Sequence, residues 1–383
     1  MNILTFNYEY PPLGGGGGVV HELIAQELAK RHRVHVITSA FRGLPRREER
    51  GGVAIVRVPV LGRGDQSVAS LASMLSFPLG AWVAAGRLLR RERIDVINSH
   101  FAVPTGPGSL PPARLAGVPH VLSLHGGDIY DPSKRLSPHR FAPLRAAVRW
   151  VLRGSAAVVA QSSNTKENAV RLYGFQGPIH LIPLGIRQPD VPRVSRDELG
   201  LPADGFIGVT VGRLVRRKGL DVLLRALASP ELARVRLIVV GDGPERSTLE
   251  RLGAVMGISD RLLFAGRVSE QRKWELLQAA DAYLSTTMHE GFGLVYLEAM
   301  AAGIPVVSFD HGGQVDFLRD GETGHLVRAG DLGGMVGAIA RLVAEPGRAR
   351  AMGDTNRARA AHHRIDQCAA RYEALFESVL RRG

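Results

Sequence analysis

The sequence predicts an α/β fold built from two doubly wound halves in tandem. Short β-rich runs alternate with segments of helical spacing up to residue 182, the pattern stops over residues 183–205, and a second alternating series follows. Strand–helix alternation is typical of a parallel sheet covered by helices on both faces. We therefore expect two Rossmann-like domains that face each other across a cleft, with ligands at the carboxyl ends of the strands.

The first series accounts for the first sheet. Its predicted strands are Ile3–Asn7, Val34–Thr38, Val53–Val58, Val96–His100, His120–His125 and Ala157–Ala160. Helical spacing of apolar residues predicts helices between them, as in His21–Arg31 and Ser162–Tyr173. This half gives a first domain over residues 1–185.

Residues 183–205 hold four prolines and no apolar strand, so we expect a linker over residues 186–205. The second domain is expected over residues 206–365. Its predicted strands are Ile207–Val211, Leu237–Val240, Leu262–Ala265, Ala282–Thr286 and Pro305–Phe309. Its predicted helices include Gly219–Ala228, Arg272–Ala279 and Leu294–Ala302. A last helix within residues 366–383 is expected to cross back onto the first domain.

Composition limits the class of protein. The 383 residues are enough for about two domains, and a single cysteine excludes an intrachain disulfide and favours a reducing compartment. The N-terminus is typical of a strand rather than a signal peptide, and no uninterrupted apolar run predicts a membrane span. The net charge of +13 indicates an anionic partner, unless it reflects only an arginine-rich composition. Anionic lipid, a polyphosphate-bearing substrate and nucleic acid all fit this charge.

The most specific motif holds two carboxylates, Glu290 and Glu298, eight positions apart. Between them Gly291, Phe292, Gly293 and Leu294 form a glycine turn into a helix. Free backbone amides at a helix N-terminus favour a diphosphate, and Glu298 can reach a ribose diol from the helix. Glu290, in the loop, can reach hexose hydroxyls. Two carboxylates beside a bound diphosphate raise the free energy of the complex unless cations neutralise their charge.

Arg213 and Lys218 are the expected cations. They follow the first strand of the second domain, in Gly212-Arg213-Leu-Val-Arg-Arg-Lys218-Gly219. An arginine fork and a lysine point charge both suit phosphate oxygens. The segment is not a Walker loop, because glycine rather than serine or threonine follows Lys218.

Two loops of the first domain carry further candidates. Five consecutive glycines follow the first strand, with Gly15, Gly16 and Gly17 at their centre, and expose backbone amides at a predicted helix start. After the fifth strand comes His125-Gly-Gly-Asp128. His125 is a candidate donor to a phosphate or a sugar hydroxyl, and Asp128 a candidate proton acceptor. A histidine and an aspartate in turn roles, and a mobile glycine loop, remain open alternatives.

Taken together, these motifs resemble the retaining GT-B glycosyltransferases of family 4, the glycosyltransferase group 1 type. The match rests on the Pro-Pro-Leu-Gly-Gly loop, His125-Gly-Gly-Asp128, Arg213…Lys218 and Glu290-x7-Glu298, which span nearly the whole chain. The resemblance implies a first domain for the acceptor and a second for a nucleotide-sugar donor. It implies that Glu298 binds ribose, Arg213 and Lys218 the diphosphate, and Glu290 the donor sugar, with His125 near the sugar and the leaving phosphate. Gly15–Gly17 would border the acceptor and the donor phosphate.

The expected reaction is transfer of a hexosyl unit from a UDP- or GDP-sugar to a hydroxyl of a glycan or lipid-linked acceptor, in cell-envelope or polysaccharide biosynthesis. Anomeric retention is implied by the resemblance. Glu290, His125 and Asp128 are the expected catalytic residues. Because no Asp-x-Asp motif occurs and two cations serve the diphosphate, we expect no cofactor and no metal. We expect a cytoplasmic protein, peripheral on the inner face of the membrane.

The membrane expectation rests on residues 139–153. Apolar residues recur there at helical spacing, and Arg145, Arg149 and Arg153 form a basic stripe. Packing of the apolar stripe on the protein's own core is the alternative.

Other functions remain open from sequence alone. The same fold serves nucleotide-sugar 2-epimerases and phosphorylases, the latter with pyridoxal phosphate. A non-catalytic, basic nucleic-acid-binding protein is a further alternative, although no interleaving of aromatic and basic residues supports it.

Overall fold

The structure is a computed structural model that describes residues 1–66, 69–133 and 136–381. The chain divides into two compact units. The first comprises Met1–Gly185 together with Arg364–Gly383, and the second comprises Ile186–His363. Each unit has its own sheet, as the alternating pattern predicts.

Within the described residues the first unit holds an eight-stranded sheet in the order β3-β4-β2-β1-β5-β6-β7-β8. The strands are β1 (Asn2–Asn7), β2 (Arg33–Ser39), β3 (Arg47–Arg50), β4 (Val53–Val58), β5 (Val96–His100), β6 (His120–Leu124), β7 (Ala157–Ala160) and β8 (Ile179–Leu181). All neighbours are parallel except β3 and β4. The sequence pattern missed β3 because its Arg-Glu-Glu-Arg run is a charged edge strand without apolar alternation.

Helices of the first unit connect these strands. They are α1 (Gly16–Ala29), α2 (Leu71–Leu89), α3 (Gly106–Leu115), α4 (Ala142–Gly154) and α5 (Ser163–Tyr173). One of them, α2, is long and apolar enough to cross a membrane by length and composition. Of its apolar 18-residue stretch, 22% is buried inside the unit. The sequence predicts no such segment, because no uninterrupted apolar run is long enough: Ser73, Ser76 and Arg87 interrupt this one.

The second unit has an all-parallel sheet, which over its described residues runs in the order β11-β10-β9-β12-β13-β14. The strands are β9 (Phe206–Val211), β10 (Val235–Val240), β11 (Leu262–Gly266), β12 (Ala282–Leu284), β13 (Val306–Phe309) and β14 (Gly324–Val327). The helices are α6 (Leu220–Leu227), α7 (Arg246–Val255), α8 (Glu270–Ala279), α9 (Leu294–Ala302), α10 (Leu332–Ala344) and α11 (Pro346–Ala360). Apolar residues of both layers form its core.

Residues 186–205, expected as a linker, group with the second unit. Arg196 forms an ion pair of 2.8 Å with Asp281, and its Nε donates to the Ala279 carbonyl. Leu199 and Leu201 of the same segment are buried. This proline-rich stretch is therefore packed against the second sheet although it forms no strand.

The last helix, α12 (Ile365–Leu380), belongs to the first unit, where it packs against α1. Glu373 of α12 accepts a hydrogen bond of 2.7 Å from His32 and pairs with Arg31. Arg382 and Gly383, at the end of the expected C-terminal segment, lie outside the described residues.

Candidate active site

The strand order of the second sheet reverses between β9 and β12, which are neighbours there. In an open α/β sheet, ligands bind at the carboxyl ends of the strands beside such a reversal. The segment Gly212–Gly219 follows β9, and the loop that carries Glu290 follows β12. The topology therefore brings together Lys218 and Glu290, which the sequence separates by 72 positions.

Lys218 and Glu290 form an ion pair at this reversal. Lys218 Nζ lies 2.8 Å from Glu290 Oε2, and the side chains are 15% and 16% exposed. The 3₁₀ turn Arg216–Lys218 ends at Gly219, whose φ of 60° is left-handed. A Cβ at Gly219 would lie 2.3 Å from the Thr286 carbonyl oxygen. Glycine is therefore required for this close approach of the two loops.

Two cations, Lys218 and Arg217, lie beside the single carboxylate of Glu290. The Arg217 guanidinium lies 4.0 Å from Glu290, and Arg213 lines the same small cavity as Lys218. Burial raises the pKa of Glu290, but the charges of Lys218 and Arg217 outweigh it and bring the pKa to about 2. Burial lowers the pKa of Lys218, and the two arginines lower it further against the effect of Glu290. The cluster has surplus positive charge, which suits a diphosphate.

The glycine turn after Glu290 caps α9. Gly293 is the N-cap with a φ of 95°, and a Cβ there would lie 2.3 Å from the Tyr296 ring. Leu294 begins the helix, and the Tyr296 N–H donates to the Gly293 carbonyl over 3.1 Å. The N-terminus of a helix favours an anion at the amides that precede this bond. Gly313 helps to hold the loop that carries Glu290, because its N–H donates to the Glu290 carbonyl over 2.8 Å.

Phe292 does not fit the expected role for its side chain. The ring is buried and lies 5.1 Å from the ring of Phe317. It therefore belongs to the hydrophobic core, so Phe292 can contact a donor only through its backbone.

Glu298 has its own cation, which corrects the expectation that Arg213 and Lys218 balance both glutamates. Lys273 Nζ of α8 lies 2.9 Å from Glu298 Oε1 and 2.8 Å from Glu270. Burial raises the pKa of Glu298 although Lys273 opposes it. The second oxygen, Oε2, is buried without a hydrogen-bond partner among the described residues. A buried acceptor of this kind suits a hydroxyl donor.

In the first unit the strand order reverses between β1 and β5. The glycine run follows β1, and α1 begins at Gly16 with Gly15 as its N-cap, earlier than the expected start near Val19. A Cβ at Gly17 would lie 2.6 Å from the Phe101 ring and 3.4 Å from His125 Nδ1. The run is thus the first turn of a helix, and at Gly17 it leaves no room for a side chain.

His125 lies directly beside this turn. Its Nε2 is 2.9 Å from His100 Nδ1, and its ring is 4.6 Å from the ring of Phe101. Burial lowers the pKa of His125 to about 4 and that of His100 well below its usual value. Both rings are therefore neutral near pH 7 and share one proton in their hydrogen bond. His125 is suited to hydrogen bonding rather than to carrying a charge.

Asp128 has a structural task in this loop. Its Oδ2 accepts from the Ala102 N–H over 2.6 Å, and its Oδ1 accepts from the His125 N–H over 2.9 Å. Burial raises its pKa to about 6. Because both oxygens are engaged by backbone amides, the geometry argues against Asp128 as the proton acceptor from a substrate and for a residue that holds the His125 loop.

Sequence reasoning missed four residues of these clusters: Lys273, Arg217, His100 and Phe101. Lys273 looks like an ordinary surface cation until α8 packs against α9, and Arg217 until the loop after β12 packs against it. His100 ends the predicted strand Val96–His100 and Phe101 follows it, which is the signal that was available. Phe101 has a φ of 76°, a strained conformation for an aromatic residue and one that is often seen at functional sites.

Metal ligands were also sought among the side chains that the structure describes. No group of three or more histidine, cysteine, aspartate or glutamate residues in that part of the chain is arranged to hold a metal ion.

The chain has two α/β units whose sheets are mainly parallel, with a cation cluster at one strand reversal and a glycine turn into a helix at the other. This is the arrangement of a GT-B glycosyltransferase. Residues 14–188 match the family model Glycosyltransferase Family 4, and residues 193–359 match Glycosyl transferases group 1. The chain belongs to this family, and it is a hexosyltransferase. The expected fold class and family are confirmed.

Relatives and a solved structure agree with this assignment. The chain is 33% identical to D-inositol 3-phosphate glycosyltransferase of Acidothermus cellulolyticus, over 90% of this chain and 81% of the relative. It is 29% identical to the GDP-mannose-dependent alpha-(1-6)-phosphatidylinositol monomannoside mannosyltransferase of Mycolicibacterium smegmatis, over 93% and 92%. The fold is similar to that of HepE from Anabaena, solved in complex with UDP-glucose, with a TM-score of 0.74, 20% identity and coverage of 99% and 100%.

Proposed function

We propose that the protein transfers a hexosyl unit from a UDP- or GDP-sugar to a hydroxyl of a glycan or lipid-linked acceptor, with retention of the anomeric configuration. The observation that carries the proposal is the Glu290–Lys218 pair with its surplus positive charge, next to the capped N-terminus of α9. GDP-mannose and a phosphatidylinositol glycolipid in one relative's name, and UDP-glucose in a structural neighbour, support the donor and acceptor classes.

The proposed chemistry breaks the bond between the anomeric carbon and the diphosphate oxygen. Positive charge grows on the sugar and negative charge on the leaving diphosphate, so donors aimed at that group lower the barrier. Arg213, Lys218 and the amides of Gly291–Leu294 serve this role. The new bond forms from the acceptor oxygen on the same face of the sugar, and the acceptor proton passes to the leaving diphosphate.

The remaining site residues orient the substrates in this proposal. Glu298 accepts hydrogen bonds from the ribose, and Glu290 accepts them from hydroxyls of the donor sugar. Neutral His125 donates a hydrogen bond to the sugar or to the leaving phosphate, held in place by His100 and by the Asp128 loop. The amides of Gly15–Gly17 border the acceptor and the phosphate.

Because cations of the protein face the diphosphate, we propose that the enzyme needs no cofactor and no metal. We further propose that it acts in cell-envelope or polysaccharide biosynthesis, in the cytoplasm and peripherally on the inner face of the membrane. The anionic partners are then the donor and the membrane rather than nucleic acid.

A panel of UDP, GDP, ADP and their sugars, screened by thermal shift with and without a chelator, tests the donor class. Arg213→Ala tests the leaving-group role: we expect turnover to fall by about 10²- to 10³-fold, as for the loss of one transition-state donor, with acceptor binding nearly unchanged. Near-normal turnover of the variant would overturn this role. A stabilisation by nucleotides that depends on added metal would overturn the metal independence.

A further inference from the structure

Helices α2, α3 and α4 of the first unit pack side by side. Small residues on α3 allow this packing on both flanks. A Cβ at Gly108 would lie 3.1 Å from Ala81 of α2, and one at Gly106 would lie 2.6 Å from the Val151 side chain of α4. The outer faces of the three helices therefore adjoin one another.

The outer face of α4 has a groove of about 430 Å³ lined by arginines, which we call the arginine groove. Arg145, Arg149 and Arg153 of α4 and Arg114 of α3 line it around Trp150, together with Ala142 and Ala146. None of the four arginines forms an ion pair with a carboxylate in the described residues. Four uncompensated guanidinium groups around one groove favour an anion, above all phosphate.

Two of these arginines are held in place by the protein. The Arg114 guanidinium carbon lies 5.7 Å from the centre of the Trp150 ring, a cation–π distance. Arg149 Nε donates to the Tyr173 carbonyl over 3.1 Å. Three of the apolar residues of α4 that suggested a membrane-facing stripe, Val148, Val151 and Leu152, are buried in the core.

The apolar surface lies on α2 instead. Its inner face, with Phe77 and Ala81, is buried in the first unit. Its outer face carries large apolar side chains at helical spacing, which we call the α2 stripe: Leu71, Leu75, Leu79, Trp82 and Val83, exposed by 53%, 65%, 68%, 44% and 48%. A stripe of this size is typical of an interaction site. Because the inner face belongs to the core, α2 is suited to lie on a membrane rather than to cross it.

We propose that the arginine groove and the α2 stripe form one docking surface for an anionic membrane. The arginines bind lipid phosphates, and the stripe enters the boundary between headgroups and acyl chains. A symmetric dimer through this face would bring like charges of two copies together, which disfavours a second copy as the occupant. The inference deepens the proposed function, since it rests on a lipid-linked acceptor at the membrane, but its test needs neither donor nor acceptor.

Co-sedimentation of the full chain with vesicles tests the surface. Wild type should bind mixed phosphatidylglycerol–phosphatidylcholine vesicles and not pure phosphatidylcholine vesicles. The variant Arg145→Gln/Arg149→Gln/Arg153→Gln should lower the partition coefficient by about tenfold to a hundredfold, as expected for three basic residues near an anionic surface. The control Arg225→Gln/Arg234→Gln/Arg236→Gln removes the same charge from exposed positions of the second unit and should change binding by less than about threefold.

A second measurement keeps the proposal testable if the arginine variant is unstable. Leu75→Gln/Leu79→Gln alters only exposed positions, so it should fold normally and yet bind anionic vesicles more weakly. In Trp150→Phe the two remaining tryptophans are Trp82 on the stripe and buried Trp274. Its fluorescence should shift to the blue with anionic vesicles, and Trp82→Phe should abolish that shift.

Three outcomes would overturn the proposal. If the two triple arginine variants lost vesicle binding equally, the effect would depend on the net charge of the protein and not on the arginine groove. Binding of inorganic phosphate in the groove without binding of vesicles would identify a free-anion site. A wild-type dimer in size-exclusion chromatography that Leu75→Gln/Leu79→Gln converts to a monomer would identify a second copy as the occupant. Nucleotide binding in the thermal-shift panel is independent of all three, so a failure here leaves the glycosyltransferase function standing.

Discussion

Two buried glutamate–lysine pairs of the second unit differ in the charge that surrounds them. At Glu290 the two cations Lys218 and Arg217 face one carboxylate. At the other pair, the single lysine Lys273 faces two carboxylates, Glu298 and Glu270. The pKa values follow this difference: that of Glu290 falls to about 2, whereas burial keeps that of Glu298 above its usual value.

The difference indicates which ligand groups the two pairs suit. A surplus of positive charge attracts a diphosphate, and a buried carboxylate with a free oxygen attracts hydroxyl donors. Two glutamates that look equivalent in the sequence therefore lie in surroundings that suit different ligand groups. We infer that Glu290 acts beside the reacting bond and that Glu298 anchors the nucleotide through its ribose.

The largest expected effect is that of Glu290→Gln. Without this carboxylate the donor sugar is held less well at the reacting carbon, and we expect turnover to fall by about 10²-fold. The cations around position 290 would be less compensated, so UDP or GDP should bind as tightly as in wild type or more tightly. Steady-state kinetics with the preferred sugar nucleotide, and calorimetry with the nucleotide alone, measure the two effects separately.

A Lys218→Met variant is the matched opposite, because it removes positive charge from the same cluster. It should weaken nucleotide binding as well as turnover. If Glu290→Gln instead lost nucleotide affinity while keeping its turnover, the assignment of Glu290 to the sugar would be wrong.

Glu298→Gln should have a smaller effect of a different kind. Loss of charge-assisted hydrogen bonds to the ribose should weaken nucleotide binding by about tenfold, with turnover at saturation nearly unchanged. Wild type should prefer UDP or GDP over the corresponding 2′-deoxynucleotide, and the variant should lose most of this preference. Calorimetry with both nucleotides measures it.

Glu270→Gln is the control for Glu298→Gln, because Glu270 also contacts Lys273 but its side chain is 77% exposed. It should keep the preference for the ribonucleotide. An unchanged preference in Glu298→Gln would place the ribose elsewhere.

The fold could be predicted from the sequence because most strands, helices and turns are specified by residue patterns within short segments. Apolar runs, glycine turns and the proline-rich break at residues 183–205 mark most strands and connections where they occur. Elements without such a pattern were missed, such as charged β3, which only its pairing with β4 stabilises. The packing of residues 186–205 onto the second unit depends on Arg196 meeting Asp281, a contact that no local pattern encodes.

The site could be predicted as a set of loops but not as pairs of side chains. Lys218 and Glu290 lie in loops that follow β9 and β12, two strands that become neighbours only through the reversal of strand order. The partner of Glu298 comes from α8, where Lys273 looks like part of an ordinary i,i+3 surface pair with Glu270. For Asp128 the sequence shows a carboxylate near a histidine but not the two backbone amides that donate to it.

The pH dependence of stability is the smallest expected effect, and its sign distinguishes the two glutamates. The lowered pKa of Glu290 means that its ion pair stabilises the fold above its ordinary value of 4.5, and that this stabilisation is lost as the pH falls toward about 2. The raised pKa of Glu298 means that its burial destabilises the fold at neutral pH, and that protonation relieves this as the pH falls.

The free energy of unfolding of wild type, Glu290→Gln and Glu298→Gln in urea, from neutral pH down to about pH 3, tests these signs. The advantage of wild type over Glu290→Gln should shrink as the pH falls. The stability of wild type relative to Glu298→Gln should instead rise over the same range, because only wild type gains from protonation at that position. Parallel curves for the two variants would contradict the difference in charge between the two pairs, and with it the separate tasks proposed for Glu290 and Glu298.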